Sequence, residues 1–118
     1  MQSDLAIVIL NYNTCHLLNT YLPSVVKHSN GYRIIFVDNA SKDESVNFVR
    51  ENYPQIEVIC LEENYGFTGG YNRALKQIKA KYYCLLNTDV EVTENWIEPI
   101  INLMEGDEKI AVCQPKLL

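Results

Sequence analysis

The chain has 118 residues, 47% hydrophobic and 21% charged, with a formal net charge of −5. That is enough apolar material for one domain with a single core, and the composition does not suggest disorder. The acidic balance, without Lys/Arg clusters, argues against a nucleic-acid partner; an anionic ligand stays open, since backbone N–H groups or a metal ion can supply positive charge.

Short β-branched apolar runs alternate with helical patterns along the chain. Residues 5–10, LAIVIL, form an uninterrupted apolar run and predict a strand buried on both faces. The run is far too short to cross a bilayer, and no basic leader precedes it, so the expected location is cytoplasmic, with peripheral attachment to the inner face of a membrane allowed. Thr14 is placed to cap a helix carrying Leu17, Leu18, Tyr21, Leu22, Val25 and Val26 at helical spacing, with a kink expected at Pro23. A second strand, RIIFV at 33–37, ends on Asp38, and Ser41-Lys42-Asp43-Glu44 reads as a capping box for a second helix reaching about Asn52.

Residues 57–61 predict a third strand, and a loop with Gly66, Gly69 and Gly70 leads into a helix bearing Ala74, Leu75 and Ile78. A fourth strand is predicted over 82–86. Thr93 then caps a helix with Trp96, Ile97, Ile100, Ile101 and Met104 inward, bent or broken at Pro99, and 110–113 predicts a last strand. On that stripe Trp96 reads as core packing, and His16 and His28, near helix ends, read as solvated or capping groups. The cysteines Cys15, Cys60, Cys84 and Cys113 are widely spaced without a C-x-x-C pair, which fits reduced thiols in a reducing compartment better than a disulfide framework or a zinc site.

This alternation predicts an α/β fold, a Rossmann-like, mostly parallel sheet with helices on both faces. In such sheets ligands bind outside the carboxyl ends of the strands, so the residues following each strand are the diagnostic ones. They are Asn11-Tyr12-Asn13, Asp38-Asn39, the Asn64–Asn72 loop and Asn87-Thr88-Asp89. Each alone is ordinary turn composition. Together, on one edge of one sheet, they indicate a binding site. Asp38 can accept a hydrogen bond from a ligand, such as the N3–H of a uracil or thymine, or can merely shape the turn with Asn39. The glycine loop lacks the Lys-Ser/Thr pair of a Walker A loop and is not G-x-G-x-x-G, but its glycines allow close backbone approach. Asp89 with a nearby carboxamide offers hard oxygen ligands suited to Mg²⁺ or Mn²⁺. Asp89 and Glu91, two residues apart, would share one side of an extended segment, and spacing does not choose between the two pairings.

The ordered set LAIVILNYN, IIFVDNASKDES, ENYGFTGGYNRAL and YYCLLNTDVEV resembles the nucleotide-binding half of family 2 glycosyltransferases with the GT-A type fold, and is most similar to the bacterial rhamnosyltransferase-like branch, over about Leu5 to Leu118. The resemblance implies sugar transfer, inverting in stereochemistry, from a UDP-, dTDP- or GDP-linked donor to a polysaccharide or lipid-linked acceptor in cell-envelope polysaccharide synthesis. It implies that Asn11, Tyr12 and Asn13 line the nucleotide pocket and that Asp38 bonds the base. Asn64, Gly66, Phe67, Gly69, Gly70 and Asn72 would pack against nucleoside and diphosphate. Asn87-Thr88-Asp89 matches the family's D-x-D, with Asn87 toward the ribose and Asp89 on the Mg²⁺ or Mn²⁺. Asn87 stands where many relatives carry Asp, which removes a charge from the metal site. With QPKLL at 114–118 falling where an acceptor half would begin, the expectation is a donor-binding domain over 1–118, lacking the acceptor part and the catalytic base and inactive alone. The alternatives are a noncatalytic nucleotide-binding module and a receiver-type phosphoacceptor domain; for the latter, Asn11-Tyr12-Asn13 stands where an acidic pair is needed and Glu62-Glu63-Asn64 where a phosphorylatable Asp is needed.

Overall fold

The computed structural model describes residues 5–29 and 31–97. The elements in chain order are β1 (Leu5–Asn11), α1 (Cys15–His28), β2 (Arg33–Asp38), α2 (Ser45–Asn52), β3 (Glu57–Cys60), α3 (Gly66–Leu75) and β4 (Tyr82–Asn87). The strands form one sheet in the order β3-β2-β1-β4, with every pairing parallel. Ile9 stands opposite Phe36 on one side and Leu86 on the other, so the central strand β1 is covered on both edges.

The sheet separates two apolar layers. On one face Leu5, Ile7, Ile9, Phe36, Cys84 and Leu86 pack with Leu18, Leu22 and Val25 of α1 and Val49 of α2. On the other, Ala6, Val8, Ile35, Val37 and Leu85 pack with Tyr71 and Ala74 of α3 and with Ile78 just beyond it. Alternate residues of β1 thus feed opposite layers, which is why its sequence is apolar without alternation. Each fully buried Ile, Leu or Phe here contributes roughly 2–3 kcal/mol of burial. Helices cover both faces, as the sequence predicts.

The strand order rules against the receiver-type alternative. Such domains follow the order 2-1-3-4-5, with the third strand beside the first, whereas here β3 lies outermost beside β2. An ion pair from Arg33 Nε to Glu57 Oε2 at 2.9 Å ties β2 to β3 at their amino ends.

Several boundaries differ from the sequence reading. The second helix starts at Ser45, not at Ser41: Asp43 accepts the Ser45 N–H at 3.0 Å, and Ser41 belongs to the turn after β2. Thr14 is the cap of α1 by its carbonyl, which accepts Leu17 and Leu18 N–H, while its hydroxyl donates to Asn11. The helix runs on through Pro23. The glycines lie within α3, which opens at Gly66. Trp96 packs against the α1-side layer and donates its indole N–H to Ser29 Oγ at 3.2 Å. Beyond Ile97 the helix expected after Thr93, with Pro99, and the strand at 110–113 lie outside the described residues, as does Cys113. Cys15 and Cys60 are unbridged, and Cys84 is buried in the sheet. Among the described residues no helix is long and apolar enough to cross a membrane.

Candidate functional site

From β1 the chain moves outward through β2 to β3, then returns to place β4 on the other side of β1. The strand order therefore reverses between β1 and β4, and in open α/β sheets ligands bind in the crevice outside the carboxyl ends of the strands at such a reversal. Asn11-Tyr12-Asn13 and Asn87-Thr88-Asp89 flank it, with the ends of β2 and α3 alongside.

The β1–β2 side is a closed network. Asn11 is 1% exposed and Asp38 3% exposed. The Asn11 amide donates to Asp38 Oδ1 at 2.8 Å and to Ser41 Oγ at 3.1 Å, and its carbonyl accepts the Thr14 hydroxyl. Asp38 Oδ2 accepts the Ser41 N–H at 2.8 Å. Ser41 Oγ also accepts the Asn13 N–H at 2.8 Å, and Asn13 Oδ1 accepts the Lys42 N–H at 2.8 Å. Asn13 and Ala40 take left-handed backbone conformations at φ 53° and 63°. Asn tolerates this region; Ala, with its Cβ near the carbonyl oxygen, does so at a cost of roughly 1–2 kcal/mol. The polar atoms of Asn11 are thus engaged within the protein, and Asn11 sets the position of Asp38. Tyr12, by contrast, stands out at 42% exposure.

Asn39 links this network to α3. Its side-chain carbonyl accepts the Tyr65 N–H at 2.9 Å, and its amide donates to the Gly66 carbonyl at 2.9 Å. Gly66 has φ +77°, a conformation natural to glycine, and Asn64 Oδ1 accepts its N–H at 2.8 Å. A Cβ on Gly70 would lie 2.9 Å from Asn39 Nδ2 and 3.0 Å from Leu10 Cδ1, so the glycine is what lets α3 sit on the ends of β1 and β2. At Gly69 a Cβ would meet that of Tyr65 at 3.1 Å. Phe67 projects outward, 57% exposed, with its ring edge-on to Tyr71 at 4.9 Å between centroids. Tyr71 donates its hydroxyl to the Leu86 carbonyl at 3.1 Å, and burial pushes its phenol up to about 12. Asn72 is exposed on α3.

The β4 side is open. Asn87 is half-buried at the strand end, Thr88 and Asp89 form a turn, and Asp89 is exposed. The side chains of Asn87 and Asp89 form no hydrogen bond with another described residue. Val90 and Val92 are buried while Asp89 and Glu91 are exposed, so both carboxylates remain available. No group of three or more His, Cys, Asp or Glu gathers among the described residues. A donor set of one or two carboxylates and an amide fits Mg²⁺ or Mn²⁺, which keep several waters and take further ligands from phosphate oxygens. Burial, then the carboxylates of Asp43 and Glu44, push the Cys15 thiol up.

The structure brings to this edge Asn11, Tyr12, Asn13, Asp38, Asn64, Gly66, Phe67, Gly69, Gly70, Asn87 and Asp89, while Asn72 lies further along α3 on its exposed side. It gives bonded roles to Asn39 and Tyr71, which lie within the strand-end stretches named from the sequence, and adds Ser41. In the sequence Asn39 and Ser41 read as turn and cap, and only the four-residue spacing of Phe67 and Tyr71 hints that the two rings meet on one helix face.

Comparison with known proteins agrees with this architecture. The family model "Glycosyl transferase family 2" matches residues 6–116. The chain is similar to polypeptide N-acetylgalactosaminyltransferase 13 of Homo sapiens, 29% identical over 119 residues that cover 94% of this chain and 21% of the relative. It is also similar to chondroitin synthase of Escherichia coli, 25% identical over 95% of this chain and 17% of that protein. The chain thus spans about a fifth of the length of these relatives. Among solved structures, S. aureus TarS 1–349 in complex with UDP-GlcNAc superposes with a TM-score of 0.72 at 21% identity, covering 90% of this chain and 32% of that one. The mannosyltransferase PcManGT of Pyrobaculum calidifontis, in complex with GDP-Man and Mn²⁺, superposes at 0.65 with 19% identity, covering 77% and 29%. With the family model matching nearly its whole length, the chain belongs to glycosyl transferase family 2.

Proposed function

We propose that these residues bind the nucleoside-diphosphate sugar donor of a glycosyltransferase. The observation that carries the reading is the contrast at the switch point: a bonded Asn11–Asp38–Ser41 network beside half-buried Asn87 and exposed Asp89, whose side chains bond no other described residue. A rigid carboxylate at the end of β2 suits recognition of a base edge, and Asn11 and Ser41 hold it. Tyr12 and Phe67 supply exposed rings beside the crevice. The first turn of α3 presents backbone N–H groups that favour an anion such as diphosphate. Asn87 is assigned to the ribose, and Asp89 to Mg²⁺ or Mn²⁺. A bound divalent ion would neutralise charge on the departing diphosphate.

The reaction is attack by an acceptor hydroxyl on the anomeric carbon, with cleavage of the sugar–phosphate bond and release of the nucleoside diphosphate. A base must take the hydroxyl proton, and none of the residues assigned here is that base. The part carried by residues 1–118 is therefore donor binding. The order of the four strand-end motifs supports the rhamnosyltransferase-like branch and an inverting outcome. It also supports a bacterial cell-envelope polysaccharide or lipid-linked acceptor at the cytoplasmic face of the membrane. The names of similar structures support the donor class: UDP-GlcNAc in TarS, GDP-Man with Mn²⁺ in PcManGT.

The test is a thermal-denaturation titration with UDP, dTDP and GDP, each with and without MnCl₂. One of the three is expected to raise the midpoint at millimolar concentration, and more with Mn²⁺. A folded sample that responds to none of them refutes the reading. A metal-independent rise would favour the noncatalytic nucleotide-binding module, which the neutral Asn87 makes a specific rival.

A further inference from the structure

We propose that Asn39 is a positioning residue that fixes the distance between the base end and the diphosphate end of the donor pocket; this rests on the donor-binding reading above. The chemistry is in its two side-chain bonds. Asn39 is 2% exposed and follows Asp38 directly, and its own N–H donates to the Asn11 carbonyl at 2.8 Å. Its backbone therefore moves with the Asp38 network. Its side chain grips α3 at two successive residues, accepting from Tyr65 N–H and donating to the Gly66 carbonyl, both at 2.9 Å. One amide thus joins the end of β2 to the opening turn of α3, its carbonyl oxygen supplying the acceptor and its NH₂ the donor for this pair.

The surroundings keep the amide in place. Gly70, one helical turn into α3, leaves room for Asn39 Nδ2, where a Cβ would intrude at 2.9 Å. Tyr71 then pins the same helix to the Leu86 carbonyl of β4. The Tyr65 ring packs against the α3-side layer with the Arg73 guanidinium 3.7 Å from its centroid, but the backbone at Gly66 is exposed, in a left-handed conformation, with its N–H held by Asn64 alone among side chains. Loss of the Asn39 amide would let the opening turn of α3 move while Asp38, held by Asn11 and Ser41, stays put.

The experiment compares a nucleoside diphosphate with its nucleoside by calorimetric titration on the chain in MnCl₂, using UDP and uridine, dTDP and thymidine, GDP and guanosine. For the pair the wild type prefers, Asn39→Ala is expected to weaken the diphosphate at least tenfold and the nucleoside less than twofold. Asn39→Asp, which keeps the acceptor for Tyr65 but loses the donor for Gly66, should fall between. Amide hydrogen exchange at Tyr65 should accelerate at least tenfold in Asn39→Ala, with exchange in β1 and β2 unchanged. Gly70→Ala, reaching the amide from the other side, should reproduce the Tyr65 acceleration. Equal weakening of nucleoside and diphosphate, or no weakening of either, overturns the proposal, as does unchanged Tyr65 exchange in both variants. Accelerated Tyr65 exchange in a chain whose wild type binds none of the ligands would locate the failure in the donor reading, and the positioning role would fall with it.

Discussion

The two sides of the switch point are built from similar residues and treated in opposite ways. At the ends of β1 and β2, Asn11, Asp38, Asn39 and Ser41 are linked to one another, and the first three are almost completely buried. At the end of β4, Asn87 and Asp89 have the same functional groups but no side-chain partner among the described residues, and Asp89 is exposed. Neighbouring strands decide the difference. The end of β1 is flanked by β2, with Asn11 paired to Asp38, whereas β4 pairs only with β1 among the described strands and then turns away. Polar groups on the first side define a shape; on the second they are available to a ligand. A position-by-position reading of Asn and Asp at strand ends cannot make this distinction.

The largest expected effect comes from breaking the closed side. Asp38→Ala removes the acceptor for a buried Asn11 amide and for the Ser41 N–H, and should cost about 3 kcal/mol in urea denaturation. Asp89→Ala, on the open side, should leave that midpoint within about 0.5 kcal/mol.

The seam between the sides gives the next effect. The Tyr71 phenol is raised to about 12 from its ordinary 10.0 by burial, the hydroxyl being held at Leu86. A raised pKa stabilises the fold below pH 10, where both states are protonated, and that contribution is lost as pH climbs through 12. The wild type should therefore lose up to about 2.5 kcal/mol over this window relative to Tyr71→Phe. Measuring both proteins by denaturant titration at pH 9 to 12 isolates this slope from the other tyrosines.

Asp89→Ala should weaken Mn²⁺-dependent nucleoside-diphosphate binding at least tenfold, about 1.4 kcal/mol, as read by calorimetry. Glu91→Ala is expected to weaken it less; the reverse ranking would move the metal ligand to Glu91. The smallest effect should be a gain. Ala40→Gly relieves a left-handed backbone on the closed side and should raise stability by roughly 0.5–1 kcal/mol in the same urea assay.

The sequence by itself determined the order and type of the seven described elements, from β1 to β4. LAIVIL and RIIFV are apolar without alternation because both faces of a parallel sheet are covered, and that pattern is local and legible. The strand-end motifs likewise nominated one sheet edge for a ligand site and carried the resemblance to the family to which the chain belongs. Ser41 shows the limit: with Glu44 three residues on, it has the local signature of a capping box, yet its hydroxyl and N–H are drawn into contacts with Asn11, Asn13 and Asp38. The contacts with Asn11 and Asn13 span 30 and 28 residues and exist only once β1 and β2 lie side by side. The same holds for Asn39, whose bonds to Tyr65 and Gly66 need α3 seated on the sheet. Local chemistry can nominate polar residues at a strand end. Only tertiary packing decides which are buried with partners and which stay exposed, because burial makes partners obligatory and exposure leaves them for a ligand.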